Sequence, residues 1–83
     1  MTVRFHSHAL ERMLERGATE FEVTSTVERG EQFPAKFGRI GFRRNFVFDG
    51  KWRGRYYQTK QVEAYTVLDG SDYLVITIIV RFF

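Results

Sequence analysis

The sequence contains no cysteine. That excludes a disulfide framework and any thiolate zinc site. Histidine is almost as scarce, with only His6 and His8. The pair diverges once His8 enters a helix, so a metal site would need carboxylates, and neither metal nor cofactor is expected. Nucleophilic catalysis has little to work with: nothing links Ser7, Ser25 or Ser71 to a histidine. There is no glycine-rich phosphate loop, and the glycines sit at element ends where turn geometry explains them. Long apolar runs are missing too. The longest, Tyr73 to Val80, is interrupted by Thr77 and is too short to span a bilayer. The first five residues hold no apolar run followed by a small-residue cleavage site, so no signal peptide is expected. The reading is a soluble, cytoplasmic protein with no membrane partner.

Neither sign of charge dominates. The net charge is +3 and the pI about 9.6, which permits a nucleic-acid surface or an acidic protein partner and demands neither. Aromatic residues are plentiful: nine Phe, four Tyr and one Trp. A chain of 83 residues forms one domain, residues 1–83, and buries only about 60% of its unfolded surface. Large aromatic side chains compensate for that small size.

The organising stretch is His8 to Gly17. Leu10, Met13 and Leu14 share one helical face, while His8, Arg12 and Arg16, four apart, line the other. Two arginines at that spacing repel mildly, so the row hints at an anionic partner. The alternative is a solvated face balanced by Glu11, Glu15 and Glu20. Ser7 is a plausible N-cap and Gly17 a good stop. Thr19 and Glu22 have capping-box spacing for a second helix, which Arg29-Gly30 ends as Arg16-Gly17 ends the first. The helices are predicted near Ser7–Arg16 and Glu20–Arg29.

Beyond Phe33 the period changes to that of strands. Thr2 to Phe5 reads weakly as an edge strand, and Pro34 and Gly38 punctuate the crossover. Strands are predicted over about Ile40–Phe48, Gln61–Leu68 and Tyr73–Phe83. Asp49-Gly50 and Asp69-Gly70-Ser71 are turn signals, and Lys51–Lys60 reads as a hairpin tip or part of a strand. The fold class is α+β: an N-terminal αα-hairpin packed on an antiparallel sheet of three to four strands. Leu10, Leu14, Val23, Val27, Phe46, Leu74, Ile76 and Ile78 form the expected core. The face opposite the helices is expected to carry Glu63, Tyr65, Thr77 and Arg81.

The run His8-Ala9-x-x-Arg12-Met13-x-x-Arg16-Gly17, a capped second helix and a closing Leu74-Val75-Ile76-Thr77 strand together resemble the domain-of-unknown-function family 4258. That family is similar to the RelE/ParE-like toxins of toxin–antitoxin modules. The resemblance spans nearly the whole chain. It implies a RelE/ParE-like fold, a messenger-RNA endonuclease of a type II module, and neutralisation by an acidic antitoxin.

Metal-independent RNA cleavage needs a base, an acid and cations that stabilise the phosphorane. His8 has a suitable ordinary pKa range, and arginine holds phosphate bidentately. His8, Arg81 and Tyr57 are therefore the candidate catalytic residues. Arg12, Arg16, Lys60 and Trp52 are the candidate RNA contacts, with Tyr65 a further ring able to stack an unpaired base. The competing function is a non-catalytic RNA- or protein-binding regulatory domain of the same fold. The purely structural alternative is that His8 caps or orients the helix start, Arg81 pairs with Glu63 across the strands and the aromatics are core. Convergence on one cleft separates the two: an enzyme needs His8, an arginine and a tyrosine together, whereas a binding module spreads its cations over a face. RNA sequence preference, ribosome dependence and oligomeric state stay open.

Overall fold

The computed structural model describes residues 2–83. Among them the elements are β1 (Val3–Phe5), α1 (Ser7–Arg16), α2 (Glu20–Arg29), β2 (Glu31–Pro34), β3 (Ile40–Trp52), β4 (Arg55–Asp69) and β5 (Asp72–Phe82). A tight turn over residues 36–39, left-handed at Phe37 and Gly38 and closed by the Arg39 N–H to the Lys36 carbonyl, joins β2 to β3. The class is α+β, but the sheet has five strands rather than three to four, in the order β1-β5-β4-β3-β2. It is mixed: β1 runs parallel to β5, and every other pair is antiparallel. The two short strands, β1 and β2, form its edges. No helix among the described residues is long and apolar enough to cross a membrane.

Both helices have the predicted bounds, but the caps differ in part. His6, not Ser7, caps α1. Its backbone is extended, and its ring Nδ1 accepts the His8 N–H at 3.2 Å, with Ser7 already helical. At the other end Gly17 is left-handed, φ 77°, and the N–H groups of Gly17 and Ala18 both donate to the Met13 carbonyl. A Cβ on Gly17 would lie 2.7 Å from the Trp52 ring, so glycine is required both by backbone and by space. The capping box of α2 is present in both directions: Glu22 N–H donates to Thr19 Oγ1 at 3.1 Å, and Thr19 N–H to Glu22 Oε1 at 3.0 Å. Gly30 ends α2 differently from Gly17, in an extended conformation with φ −80°.

The Asp49-Gly50 signal is not a turn. Val47 pairs with Thr59 and Gly50 with Tyr57, so β3 carries one extra residue and continues to Trp52. The chain reverses at Arg53-Gly54, with φ 52° and 81°, between the paired Trp52 and Arg55. Two successive left-handed residues match a type I′ hairpin. Lys51–Lys60 is thus both strand and tip. The final turn falls at Gly70-Ser71 as expected, between paired Asp69 and Asp72.

The core lies between the helices and one sheet face. Val23, Val27 and Ile78 are buried, and Phe46 packs at the margin. Leu10 and Leu14, expected inside, are 41% and 86% exposed. The helix instead buries Ala9 and Met13, and the small Ala9 lets its backbone come close to the sheet. Leu74 and Ile76 are only half-buried. The reason is a second bulge. Tyr65 pairs with Thr77 and Thr66 with Val75, leaving Ile76 unpaired. The extra residue exchanges the faces of β5: Tyr73 and Val75 before it, and Ile78 and Val80 after it, point toward the helices. The opposite face has no helix over it and carries Thr77, Ile79 and Arg81.

Candidate functional site

The helical row is engaged within the molecule. His8 is exposed, with its ring stacked on His6 at 5.1 Å. Arg12 pairs with Glu15 at 3.4 Å. Arg16 donates to the Ile78 carbonyl at 2.5 Å, which ties the end of α1 to β5. The remaining candidates lie elsewhere. The Trp52 ring stacks on Phe82 at 5.2 Å, and Tyr57 packs against Phe82 at 5.6 Å. These rings hold the tip of the β3–β4 hairpin beneath Gly17. Lys60 has a side chain only 7% exposed. Its Nζ donates to the Gly17 carbonyl at 2.8 Å and to Glu22 Oε1 at 3.0 Å, and it sits over the rings of Phe48 and Phe82. It joins the start of α2 to the sheet. Of the candidates, Arg81 and Tyr65 stand on the uncovered face. His8, Arg81 and Tyr57 therefore occupy three separate places, and the structure does not bring them into one cleft.

It brings together a different set. Cross-strand register puts Glu31, Arg43 and Glu63 in one row across β2, β3 and β4. Glu63, with a side chain 7% exposed, accepts from Arg81 at 2.7 Å and lies 3.8 Å from Arg43. The Tyr65 hydroxyl donates to its other oxygen at 2.9 Å. Arg43 also holds Glu31 at 2.7 Å. Burial alone would push the Glu63 carboxyl up; the hydrogen bonds from Arg81 and Tyr65, with the charges of Arg81 and Arg43, outweigh it and hold the group below the usual carboxylate range. Burial and the bond to Glu63 push the Tyr65 phenol up, so it stays protonated. The hydrogen bonds to Glu63 and Glu31 raise Arg81 and Arg43 respectively. Each guanidinium has five donors, and both side chains stay partly exposed, leaving donors free for an incoming anion.

Beside this cluster the β2–β3 connection rises over the sheet and encloses a cleft of about 440 Å³. Phe33, Phe37, Tyr65, Thr77 and Ile79 line it, together with Lys36 and Arg39. Phe33 lies flat on Gly41, where a Cβ would meet its ring at 2.4 Å. Arg43 covers the same ring at 4.8 Å, and Tyr65 meets it edge-on at 5.9 Å.

Parity placed Glu63, Tyr65, Thr77 and Arg81 on this face from the sequence. It missed Arg43, Phe33, Phe37, Lys36 and Arg39, because the register of β2 against β3 and the path of the connection leave no sequence pattern. One signal was available for Arg43: it alternates with the buried Phe42. Comparison with known protein families, curated proteins and solved structures finds no significant match, so geometry alone carries the functional reading.

Proposed function

We propose that the chain is a RelE/ParE-like domain that binds single-stranded RNA on its uncovered sheet face, and that it acts by binding rather than turnover. One observation carries this reading. Arg43 and Arg81, partly exposed and sharing Glu63, stand beside the fixed rings of Phe33 and Tyr65 and the cations Lys36 and Arg39 at the cleft. Cations that follow the backbone, with rings on which bases stack, are what unpaired RNA requires. The cluster offers only a poor general base, which favours binding: Glu63 is held below the usual carboxylate range by its partners, Glu31 is paired with Arg43, and His8 lies on the helical side. Fluorescence anisotropy with labelled oligonucleotides tests it. The expected result is single-stranded RNA binding that weakens with salt and with Lys36→Ala plus Arg39→Ala. Equal binding by that double variant would overturn the placement.

A ribonuclease is the second reading, and Tyr65 supports it. The Tyr65 phenol, beside two guanidiniums, is placed to protonate the leaving 5′ oxygen, while Glu63, its hydrogen-bond partner, takes the proton of the attacking 2′-OH and returns it to Tyr65. In that case RNA incubated with the protein and EDTA acquires 2′,3′-cyclic phosphate ends, and Tyr65→Phe abolishes them while His8→Ala does not. In either reading an acidic antitoxin-like protein is the natural partner. Outside the two helices the chain has ten lysines and arginines against five carboxylates. Co-purification from the native operon is the corresponding test.

A further inference from the structure

Phe37 is the residue of the cleft whose side chain the fold does not explain: it and Gly38 are the central residues of a type I′ turn, closed by the Arg39 N–H to the Lys36 carbonyl at 3.2 Å, where glycine, asparagine or aspartate is the usual choice. Its backbone is left-handed, φ 62° and ψ 33°, a conformation that bulky side chains avoid. The residue is 87% exposed, so burial does not offset that strain. Gly38, also left-handed at φ 70°, follows it, and together they hold the ring out from the sheet. The turn would form with less strain around a small residue, so the exposed ring itself points to a ligand.

The rest of the cleft indicates which ligand. Its volume, about 440 Å³, lies in the range of about 300–1,000 Å³ typical of small-molecule pockets. Phe33 and Tyr65 form a rigid wall, clamped by Arg43 and Glu63. Phe37 forms the outer side, with the Arg39 guanidinium 5.8 Å from its ring. The Thr77 side chain also lines the cleft and offers a donor and acceptor to a planar edge. Lys36 and Arg39, which also line the cleft, add positive charge. A planar, hydrogen-bonding group attached to an anion satisfies all of these, whereas an aliphatic side chain would leave the cations and Thr77 unused.

We infer that this cleft is a pocket for one unpaired nucleobase, stacked on Phe37, with the adjoining phosphate held by Lys36 and Arg39. The inference rests on the RNA reading above and assigns that face its base-recognising subsite. Phe37→Gly tests it, because glycine removes the ring and accepts the backbone conformation without strain. The probes are fluorescein-labelled deca-uridine and an abasic ribose-phosphate strand of equal length, both at low salt. Phe37→Gly should bind deca-uridine about ten-fold more weakly, a loss within the range of one stacked base. It should bind the abasic strand like wild type and melt no lower than wild type. Phe37→Tyr should bind like wild type. Unchanged affinity of Phe37→Gly for deca-uridine, or an equal loss on both strands, overturns the pocket while leaving the RNA reading standing. A lowered melting temperature would assign Phe37 to the fold and also overturn it. If wild type binds neither strand, the RNA reading falls and the pocket with it.

Discussion

Glu63 shows how a single buried charge can organise a face. Its oxygens receive Arg81 and the Tyr65 hydroxyl, with Arg43 nearby, so its charge is balanced from both sides. Its folded pKa lies below the unfolded one. The stabilisation is therefore full above the unfolded value, about 4.3, and is lost as pH falls through the folded value. The urea midpoint should fall steeply below about pH 4.3. Glu63→Gln should be less stable than wild type at pH 7, with the two midpoints converging in acid. Parallel profiles would show that the carboxylate is not coupled to its partners. Lys60 gives a second case, on the helical side. Removing one member of a buried, hydrogen-bonded ion pair leaves the other uncompensated, so Lys60→Ala should cost about 3 kcal/mol or more in chemical denaturation. In sequence, Lys60 is a cation among aromatics and looks like an RNA contact. Its parity with Val62, Ala64 and Thr66 marks it as inward-facing, but only once β4 is known to begin at Arg55 rather than near Gln61.

At the scale of elements, local chemistry was legible and facing was not. Both helices could be bounded from their cap and stop residues because those signals act within one turn. Thr19→Ala should cost about 1 kcal/mol through loss of the reciprocal cap; an unchanged denaturation midpoint would argue against it. Gly17→Ala should be more damaging than an ordinary glycine substitution, because it adds backbone strain and drives a methyl group into Trp52. If Trp52→Ala relieves that defect in part, the two residues are coupled. The inward side of α1 was misread because large apolar residues mark a core better than small ones do. Here Ala9 sets the contact, and Leu10 and Leu14 are left outside. In β5 the alternation of Leu74, Ile76 and Ile78 is real in the sequence and broken in space. A bulge leaves no mark in a strand apolar on both faces, so the exchange at Ile76 became visible only through pairing with β4.

Over the whole molecule, charge is unevenly divided. The two helices and their caps, residues 7–30, carry five glutamates against three arginines, and the excess of cations lies in the rest of the chain. On the RNA reading proposed above, the engagement of individual cations bears on the two places where an anion was sought. The row on α1 is spent internally: Arg12 on Glu15 and Arg16 on the Ile78 carbonyl. The sheet side keeps Lys36 and Arg39 at a cleft and the outer donors of Arg43 and Arg81 over an acidic centre. His8→Ala with Arg12→Ala touches neither the core nor the Arg16 tie, so it should fold normally and bind RNA within about two-fold of wild type. Lys36→Ala with Arg39→Ala should instead flatten the salt dependence. Each phosphate contact to a single strand contributes about 0.7 to the slope of log affinity against log salt, so the double variant should lower it by about 1.4. The slope separates lost phosphate contacts from a general loss of affinity, which would lower the line without tilting it. A tilt on mutating His8 and Arg12, with none on mutating Lys36 and Arg39, would move the RNA surface to the helices.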